Sequence, residues 1–227
     1  MLDIRLNYIE KGDGQPLIFL HGNGENCEYF VNQIDYFSRS YRVIALDTRG
    51  HGMSPRGTSP FTLEQFAEDL KDFLDFMKIG KALICGFSDG ANIALIIALK
   101  YPHMTDKLIL NGANLSPAGV KAFIQLPICL GYAVVSLISF FDKKAVPKKE
   151  LLGLMVNQPD IRPESLSALD VPTLVIVGTH DMIKDSHSAL IANSIKNSQL
   201  VRLDGDHFIA SKNSIDFNAA LYRFLKG

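Results

Sequence analysis

The stretch ALICGFSDGANIALIIALK, residues 82–100, decides the fold of this chain. Its first four residues are a short apolar run that predicts a buried strand. Residues 89–100 predict a helix, which Tyr101-Pro102 ends. The connection between the two, residues 86–90, has the pattern G-x-S-x-G. A buried strand that leads directly into a helix is typical of a parallel sheet covered by helices.

Similar short apolar runs recur along the chain, and turn residues bound most of them. They lie at residues 16–20, 41–46, 107–110, 172–177 and 199–203. Continuous apolarity favours strands that are covered on both faces, so these runs predict further strands of the same sheet. Residues 3–9 instead alternate polar and apolar side chains, which predicts an edge strand with one solvent-exposed face.

Amphipathic helices are predicted between the strands. Residues 62–78 repeat apolar side chains at the helical period, and Thr62 with Gln65 forms a capping-box pattern. Another helix is predicted near residues 214–226. No strand-like run occurs between 114 and 169. We therefore predict one α/β domain over residues 1–227, a mostly parallel twisted sheet flanked by helices, with a helical cap inserted at 115–168.

Length, composition and charge exclude several classes of protein. A chain of 227 residues fits one domain, and 47% hydrophobic residues argue against disorder. The 23 basic and 24 acidic residues leave a net charge of −1, so no cationic excess is available for nucleic acid. No metal-binding motif and no dinucleotide fingerprint occurs, and we expect neither a metal nor a cofactor.

The cysteines and the first residues indicate the compartment. Cys27, Cys85 and Cys129 are too few and too far apart for a disulfide scaffold or a zinc site. Residues 1–14 contain no apolar stretch of the kind found in a secretory signal. Together these features predict a cytoplasmic protein with reduced thiols.

Ser88 is the candidate nucleophile. A serine on a sharp strand-to-helix turn takes up an unfavourable backbone conformation, and the chain folds back closely on either side of it. Glycine at 86 and 90 removes the side chains that would collide there. Phe87, between the two, is expected to pack in the turn, with a substrate contact as the alternative.

A serine needs a base, and the base needs a carboxylate to orient it. Among six histidines, His207 follows the last predicted strand, at the edge of the sheet where ligands of open α/β sheets bind. Asp181 follows the preceding strand at the same edge. Asp185 and Asp206 remain rival carboxylates.

Charge that develops on an acyl oxygen needs two backbone N–H donors. One is predicted from Asp89, directly after the serine. The other is predicted from Asn23, in the loop His21-Gly22-Asn23-Gly24 that follows the strand at 16–20.

These motifs together resemble the α/β-hydrolase superfamily, in its small capped branch. The matches are HGNGEN at 21–26, LDTRGHGMS at 46–54, GFSDGANIA at 86–94, GTHD at 178–181 and GDHF at 205–208. The resemblance implies an eight-stranded type of sheet that here lacks its first strand, with the helical cap inserted after the sixth strand. It also implies that Asp47, Arg49 and Gly50 shape the turn in the second motif.

The predicted function is hydrolysis of small acyl esters by Ser88, His207 and Asp181 through an acyl-enzyme intermediate. The same residues could cleave amides, thioesters or carbon–carbon bonds. A ligand receptor built on a hydrolase scaffold is the alternative from another class, since fold does not decide function. The expected partner is a small-molecule ester, and the oligomeric state stays open.

Residues 122–141 carry no charge over twenty positions, which is long enough to span a bilayer. A span there would put Ser88 and Asp181 on opposite sides of a membrane, so we expect no transmembrane span. We expect instead an apolar helix that is buried or lines a pocket. Phe123, Leu126, Tyr132 and Leu137 are candidate pocket-lining residues, with the core of the cap as the favoured interpretation of each.

A local basic cluster follows this segment. It consists of Lys143, Lys144, Lys148 and Lys149. A solvated loop is the favoured interpretation, and a site for anionic substrates or a membrane surface is the alternative.

Overall fold

A computed structural model describes residues 3–227, and its centre is a sheet of seven strands. The spatial order of the strands is β1-β3-β2-β4-β5-β6-β7, and all neighbours are parallel except β1 and β3. The strands are β1 (Tyr8–Lys11), β2 (Pro16–Leu20), β3 (Arg42–Leu46), β4 (Ala82–Phe87), β5 (Thr105–Asn111), β6 (Thr173–Gly178) and β7 (Ser198–Leu203).

Helices cover both faces of the sheet, as the alternation of strands and helices predicts. Neighbouring residues of one strand point to opposite faces, so Leu17 and Ile18 belong to two separate hydrophobic cores. One core packs against α2, α3 and α6, and the other against α1 and α8. The helices are α1 (Val31–Phe37), α2 (Leu63–Phe76), α3 (Asp89–Lys100), α4 (Ala122–Phe141), α5 (Val146–Asn157), α6 (Asp185–Ser194), α7 (Ile209–Lys212) and α8 (Ser214–Lys226).

The edge strand differs from its prediction. The ladder covers Tyr8–Lys11, paired antiparallel with β3 from Leu46 to Val43, rather than residues 3–9. The carboxylate of Asp3 does not lie beside β3. It accepts hydrogen bonds from Thr58 and from the guanidinium of Arg49. The contacts of that carboxylate explain why the strand begins later than the alternating pattern does.

The helical insertion, α4 and α5, lies between β5 and β6. Because the resemblance implies a missing first strand, the fifth strand of this chain corresponds to the expected sixth. The body of the protein holds α5 through an ion pair between Arg56 and Glu150 (2.6 Å). A second contact lies directly after α5. There the side chain of Gln158 accepts a hydrogen bond from the N–H of Leu63, the first residue of α2 (2.8 Å).

Of the two alternatives for residues 122–141, a buried helix is wrong, whereas a helix that lines a pocket agrees with the cavity beside Tyr132, Ser136 and Phe140. Residues 122–141 do form one helix, α4, but Ser139 is its only buried residue. The reason is that α4 packs on α5 with one side, where Gln125 donates to the Met155 carbonyl, and its other side has no covering element. Within residues 3–227, α4 is the one helix whose length and composition would allow it to cross a membrane.

The three cysteines are free, and two of them, Cys27 and Cys85, lie in the core. Burial raises the pKa of the Cys27 thiol to about 12. Both buried thiols therefore behave as small apolar side chains, as expected for a chain without a disulfide scaffold.

Candidate active site

Ser88 stands at a sharp turn between β4 and α3. Its backbone has φ 53° and ψ −120°, a conformation that L residues rarely adopt. A Cβ at Gly86 would collide with the backbone of Gly90, and a Cβ at Gly90 with the carbonyl of Leu20. The prediction that a side chain at position 86 or 90 would collide with the backbone is therefore confirmed. The Ser88 N–H donates to the Asn111 carbonyl (2.8 Å), which fixes the turn against β5.

His207 and Asp181 are in direct contact. His207 Nδ1 donates to Asp181 Oδ1 at 2.7 Å, and both residues are at most 5% exposed. The Ile183 N–H donates to the same carboxylate oxygen (2.9 Å), which holds Asp181 in place. Asp181 follows β6 and His207 follows β7, so two parallel strands bring them to the same edge of the sheet as Ser88.

The other ring nitrogen, His207 Nε2, is buried and has no hydrogen-bond partner within residues 3–227. Its ring packs at 4.8 Å from the ring of Phe87, the residue before Ser88. Phe87 also stacks on Tyr29, with ring centroids 4.5 Å apart, and is 1% exposed. Phe87 is therefore packed in the turn, and an imidazole with an available nitrogen lies beside it.

The rival carboxylates point elsewhere. Asp185 pairs with Arg202 on the surface (2.6 Å). Asp206 pairs with Lys212 and accepts from the Phe208 N–H. Of the three candidate carboxylates, Asp181 alone contacts His207 among the described residues.

The loop from His21 to Gly24 lies against this turn. A Cβ at Gly22 would come within 3.2 Å of Ser88 Cβ and 3.0 Å of the Phe87 ring. The Asn23 N–H has no acceptor within residues 3–227. The Asp89 N–H is the first of α3, where a helix offers no internal acceptor. Both N–H groups are thus available on the two segments that the sequence predicts.

The imidazole ring of His21 stabilises the loop of residues 21–24. Its Nδ1 donates to the Gly22 carbonyl (2.7 Å), and its Nε2 accepts from the Thr48 N–H (3.0 Å). Burial lowers the pKa of His21 to about 4, so the ring is neutral at pH 7 and can accept that bond. His21 therefore connects the loop of residues 21–24 with the loop after β3 through hydrogen bonds from its two ring nitrogens.

The side chain of Asn23 joins three segments. Its Nδ2 donates to Asp89 Oδ2 (2.9 Å) and to the Leu151 carbonyl of α5 (3.0 Å). Burial raises the pKa of the Asp89 carboxyl, which makes the bond from Asn23 important for the charged form. One amide therefore connects the turn of Ser88, the loop of residues 21–24 and the helical insertion.

Two residues near His207 have no counterpart in the sequence analysis. Gly112 has φ +64°, and a Cβ there would lie 2.7 Å from His207 Cε1. Burial raises the pKa of the Glu25 carboxyl to about 7, and a hydrogen bond from the Gly22 N–H partly offsets this shift. The Asn-Gly pair after β5 is a turn signal that could have singled out Gly112. No local signal marks Glu25, because its burial depends on distant segments.

The residues predicted to line a pocket lie on α4. Phe123, Leu126 and Leu137 are 71%, 63% and 67% exposed, so the favoured interpretation, that they form the core of the cap, is wrong. Tyr132 lines a cavity of about 470 Å³ together with Phe61 and with residues of α4 and α5. Within residues 3–227, no cluster of three or more His, Cys, Asp or Glu side chains is arranged to hold a metal ion.

Comparison with protein families gives one match. The model of a family described as alpha/beta hydrolase fold matches residues 15–145, more than half of the chain. This match begins at β2 and ends after α4, so it includes the turn of Ser88 and the loop of residues 21–24.

Two curated relatives match most of the chain. The 3-oxoadipate enol-lactonase 2 of Acinetobacter baylyi is 28% identical over 99% of this chain and 94% of its own length. The AB hydrolase superfamily protein YisY of Bacillus subtilis is 30% identical over 84% of this chain and 83% of its own length.

Solved structures with the same fold include two of low sequence identity. The enol-lactonase from Burkholderia xenovorans LB400 has a TM-score of 0.83 at 21% identity, covering 99% of this chain and 97% of the other. A thermophilic esterase from Thermogutta terrifontis has a TM-score of 0.80 at 24% identity, covering 98% and 93%. At such identities the likeness establishes the fold alone.

Proposed function

The chain belongs to the α/β-hydrolase fold family, and we propose that it is a serine hydrolase that cleaves small carboxylic esters. The observation that carries the proposal is the meeting of three segments at one edge of the sheet. Ser88 stands on a strained turn, the His207–Asp181 pair is bonded at 2.7 Å, and His207 Nε2 has no hydrogen-bond partner within residues 3–227, Ser88 included.

The first half of the reaction transfers the acyl group to the enzyme. His207 Nε2 takes the proton of the Ser88 hydroxyl as Oγ forms a bond to the ester carbonyl carbon, and the carbonyl π electrons move to oxygen. The tetrahedral intermediate then collapses. The bond to the leaving oxygen breaks, and the imidazolium gives its proton to the departing alkoxide, which leaves as an alcohol.

The second half repeats the sequence with water. His207 removes a proton from water, which attacks the acyl carbon, and then returns that proton to Ser88 Oγ as the ester bond breaks. Asp181 accepts from Nδ1 throughout, so the ring keeps the tautomer in which Nε2 can accept a proton. The products are the carboxylic acid and the free enzyme.

The negative charge that develops on the carbonyl oxygen is assigned to the Asn23 and Asp89 N–H groups. Fixed donors at this position stabilise the intermediate without reorganisation, which is usually the largest single contribution to catalysis. The loop of residues 21–24 abuts Ser88, which supports this assignment.

Two observations favour an ester as the substrate. Serine nucleophiles of this arrangement form acyl-enzyme intermediates, and esters are activated acyl donors. The curated relative that matches 99% of the chain is named an enol-lactonase, and a lactone is a cyclic ester. We further propose that α4 and α5 act as a cap, because α5 reaches the loop of residues 21–24 through the bond from Asn23 to Leu151.

The test is turnover of p-nitrophenyl acetate together with labelling by a fluorophosphonate probe. The natural chain should give steady multiple turnovers and one label per molecule, whereas Ser88→Ala should lose both and keep its circular dichroism spectrum. Ser116→Ala, a change in the loop after β5, is the matched control. Undiminished labelling of Ser88→Ala would overturn the proposal, and a single slow turnover by the natural chain would favour a receptor.

A further inference from the structure

The outer side of α4 presents a continuous apolar surface. Six large side chains recur there at intervals of three or four residues, and each is 58–81% exposed. We call this surface the docking face; it consists of Phe123, Leu126, Leu130, Val134, Leu137 and Phe141. This spacing puts all six on one side of the helix.

A surface of this kind marks an interaction site. Large apolar side chains that are exposed singly are ordinary, but a contiguous row of six is not typical of a free protein surface. No charged residue interrupts α4 over its 20 residues. Since α4 packs on α5 with its opposite side and nothing within residues 3–227 covers the docking face, burying it requires a partner.

The charges around the docking face are mostly positive, and the carboxylate directly at its end, Asp142, accepts a hydrogen bond from the Lys144 N–H (2.9 Å). Lys121 precedes α4, and Lys143, Lys144 and Lys148 follow it; none of the four forms an ion pair within residues 3–227. Glu150, the acidic residue of α5, is neutralised by Arg56 at 2.6 Å. An apolar helix face with cationic ends fits the boundary between acyl chains and anionic headgroups.

Both ends of α4 are attached to the same body. At its start, the Lys121 N–H donates to the Met182 carbonyl (2.9 Å). Beyond its end, α5 is held through Glu150 and through Leu151. A helix that crosses a bilayer has its two ends about 30 Å apart, on opposite sides. This attachment therefore allows α4 to lie along a membrane surface and opposes a span.

We infer that the docking face binds the surface of an anionic lipid bilayer, with α4 in the plane of the interface. A second copy of the chain fits less well. Pairing two docking faces would bring the lysines of one copy toward those of the other, and such like-charge contacts are unfavourable. A layer of anionic lipid headgroups instead supplies phosphates with which these lysines can form ion pairs. This inference does not depend on the proposed ester hydrolysis.

The chain contains no tryptophan, so one introduced tryptophan reports on its own surroundings. Leu137→Trp puts the probe in the docking face, and Ile215→Trp puts it at an exposed apolar position of α8. With vesicles of equimolar phosphatidylcholine and phosphatidylglycerol, the fluorescence of Leu137→Trp should shift to the blue. The fluorescence of Ile215→Trp should not change. Equal shifts for both variants, or no shift for Leu137→Trp, would overturn the inference.

The lysines provide a test that leaves the packing of α4 intact. Near an anionic surface each lysine contributes about fivefold to partitioning, so Lys143→Gln/Lys144→Gln/Lys148→Gln should lower vesicle binding by roughly 100-fold. Sedimentation with vesicles measures this, and Lys196→Gln/Lys212→Gln/Lys226→Gln is the control. Binding should also fall steeply with salt.

Other outcomes would contradict the inference. If the protein binds pure phosphatidylcholine vesicles as tightly as the mixed anionic vesicles, the lysines do not contribute to binding. Binding that resists molar salt and alkaline carbonate would indicate a spanning helix. A blue shift of Leu137→Trp that grows with protein concentration in the absence of vesicles would indicate self-association of the docking face instead.

Discussion

Gly112 lies against the imidazole ring of His207, and its missing side chain makes that contact possible. Its φ of +64° is unfavourable for other residues, and a Cβ there would also lie 2.9 Å from His207 Nδ1. The space for the proposed base is thus defined by a glycine on a strand end about a hundred residues away in sequence.

Gly112→Ala is expected to lower kcat/KM for p-nitrophenyl acetate about 100-fold, because a displaced imidazole no longer meets Ser88 in a reactive geometry. Stability should fall by about 1–2 kcal/mol from the backbone conformation alone. Gly80→Ala is the control, since a Cβ there meets nothing within 4 Å. Full activity of Gly112→Ala would mean that His207 is not the base.

The three candidate carboxylates can be distinguished by substitution. Asp181→Asn should lower kcat by about 10⁴-fold and keep the fold, because the amide no longer holds the imidazole in the reactive tautomer. Asp185→Asn and Asp206→Asn change carboxylates that pair with surface cations and should have little effect on turnover. A large loss in either surface variant, with Asp181→Asn active, would move the orienting role.

Glu25 makes stability depend on pH. Burial raises the pKa of its carboxyl from 4.5 to about 7, so the folded protein binds more protons than the unfolded chain between these values. Stability from this group is complete below pH 4.5 and is lost as the pH rises through 7. Glu25→Gln should therefore be more stable than the natural chain at pH 8, by about 1 kcal/mol after allowance for solvent screening.

Urea unfolding at pH 4.5 and pH 8 measures this difference, which should nearly vanish at the lower pH. Glu28→Gln, at an exposed position of the same segment, is the matched control. A stability gain of Glu25→Gln that is the same at both pH values would contradict the explanation.

At the scale of elements, the loop after β3 is tied to α2 by a buried ion pair. Arg49 is fully buried and donates to both oxygens of Asp69 on α2, at 2.7 and 2.6 Å. A third bond reaches Asp3 (2.6 Å). The turn role that the resemblance implies for Arg49 is thus carried out by contacts with segments on either side of it.

Asp69→Asn should lower the free energy of unfolding by about 3 kcal/mol, because it leaves a buried guanidinium short of a compensating charge. Asp75→Asn, which breaks an exposed pair with Lys71 on the same helix, should cost about 0.3–0.5 kcal/mol. Denaturant unfolding measures both free energies, with one m-value used for the two variants. Equal losses of unfolding free energy in the two variants would mean that the buried Arg49–Asp69 pair stabilises the fold no more than the exposed pair does.

At the scale of the whole molecule, the central sheet and the insertion are stabilised unequally. β4 and α3 are almost entirely buried in the two cores, whereas α4 has one buried residue and packs on α5. Opening of the helix pair exposes little apolar surface, while opening of β4 requires the cores to separate.

Hydrogen exchange should therefore separate the two parts. Amides of α4 are expected to exchange through local opening whose rate barely changes with added denaturant, and amides of β4 through global unfolding with the full denaturant dependence. Mass spectrometry of exchanged fragments measures both. Equal protection and equal denaturant dependence would mean that the insertion unfolds with the sheet.

The strand–helix alternation, the strained turn at Ser88 and the ends of most strands follow from the sequence by itself. These features depend on residues that are close together in the chain, such as the glycines at 86 and 90, and local sterics act on them directly. The order of the motifs likewise indicates the edge of the sheet where Asp181 and His207 come together.

Only the tertiary structure decided which side of α4 is exposed, where Asp3 is bonded, that Gly112 lies against His207 and that Glu25 is buried. An apolar run has the same composition whether its surroundings are protein or solvent. Burial and pKa depend on the distance between segments far apart in the chain, and that distance is set only when the sheet has assembled and its two cores have packed.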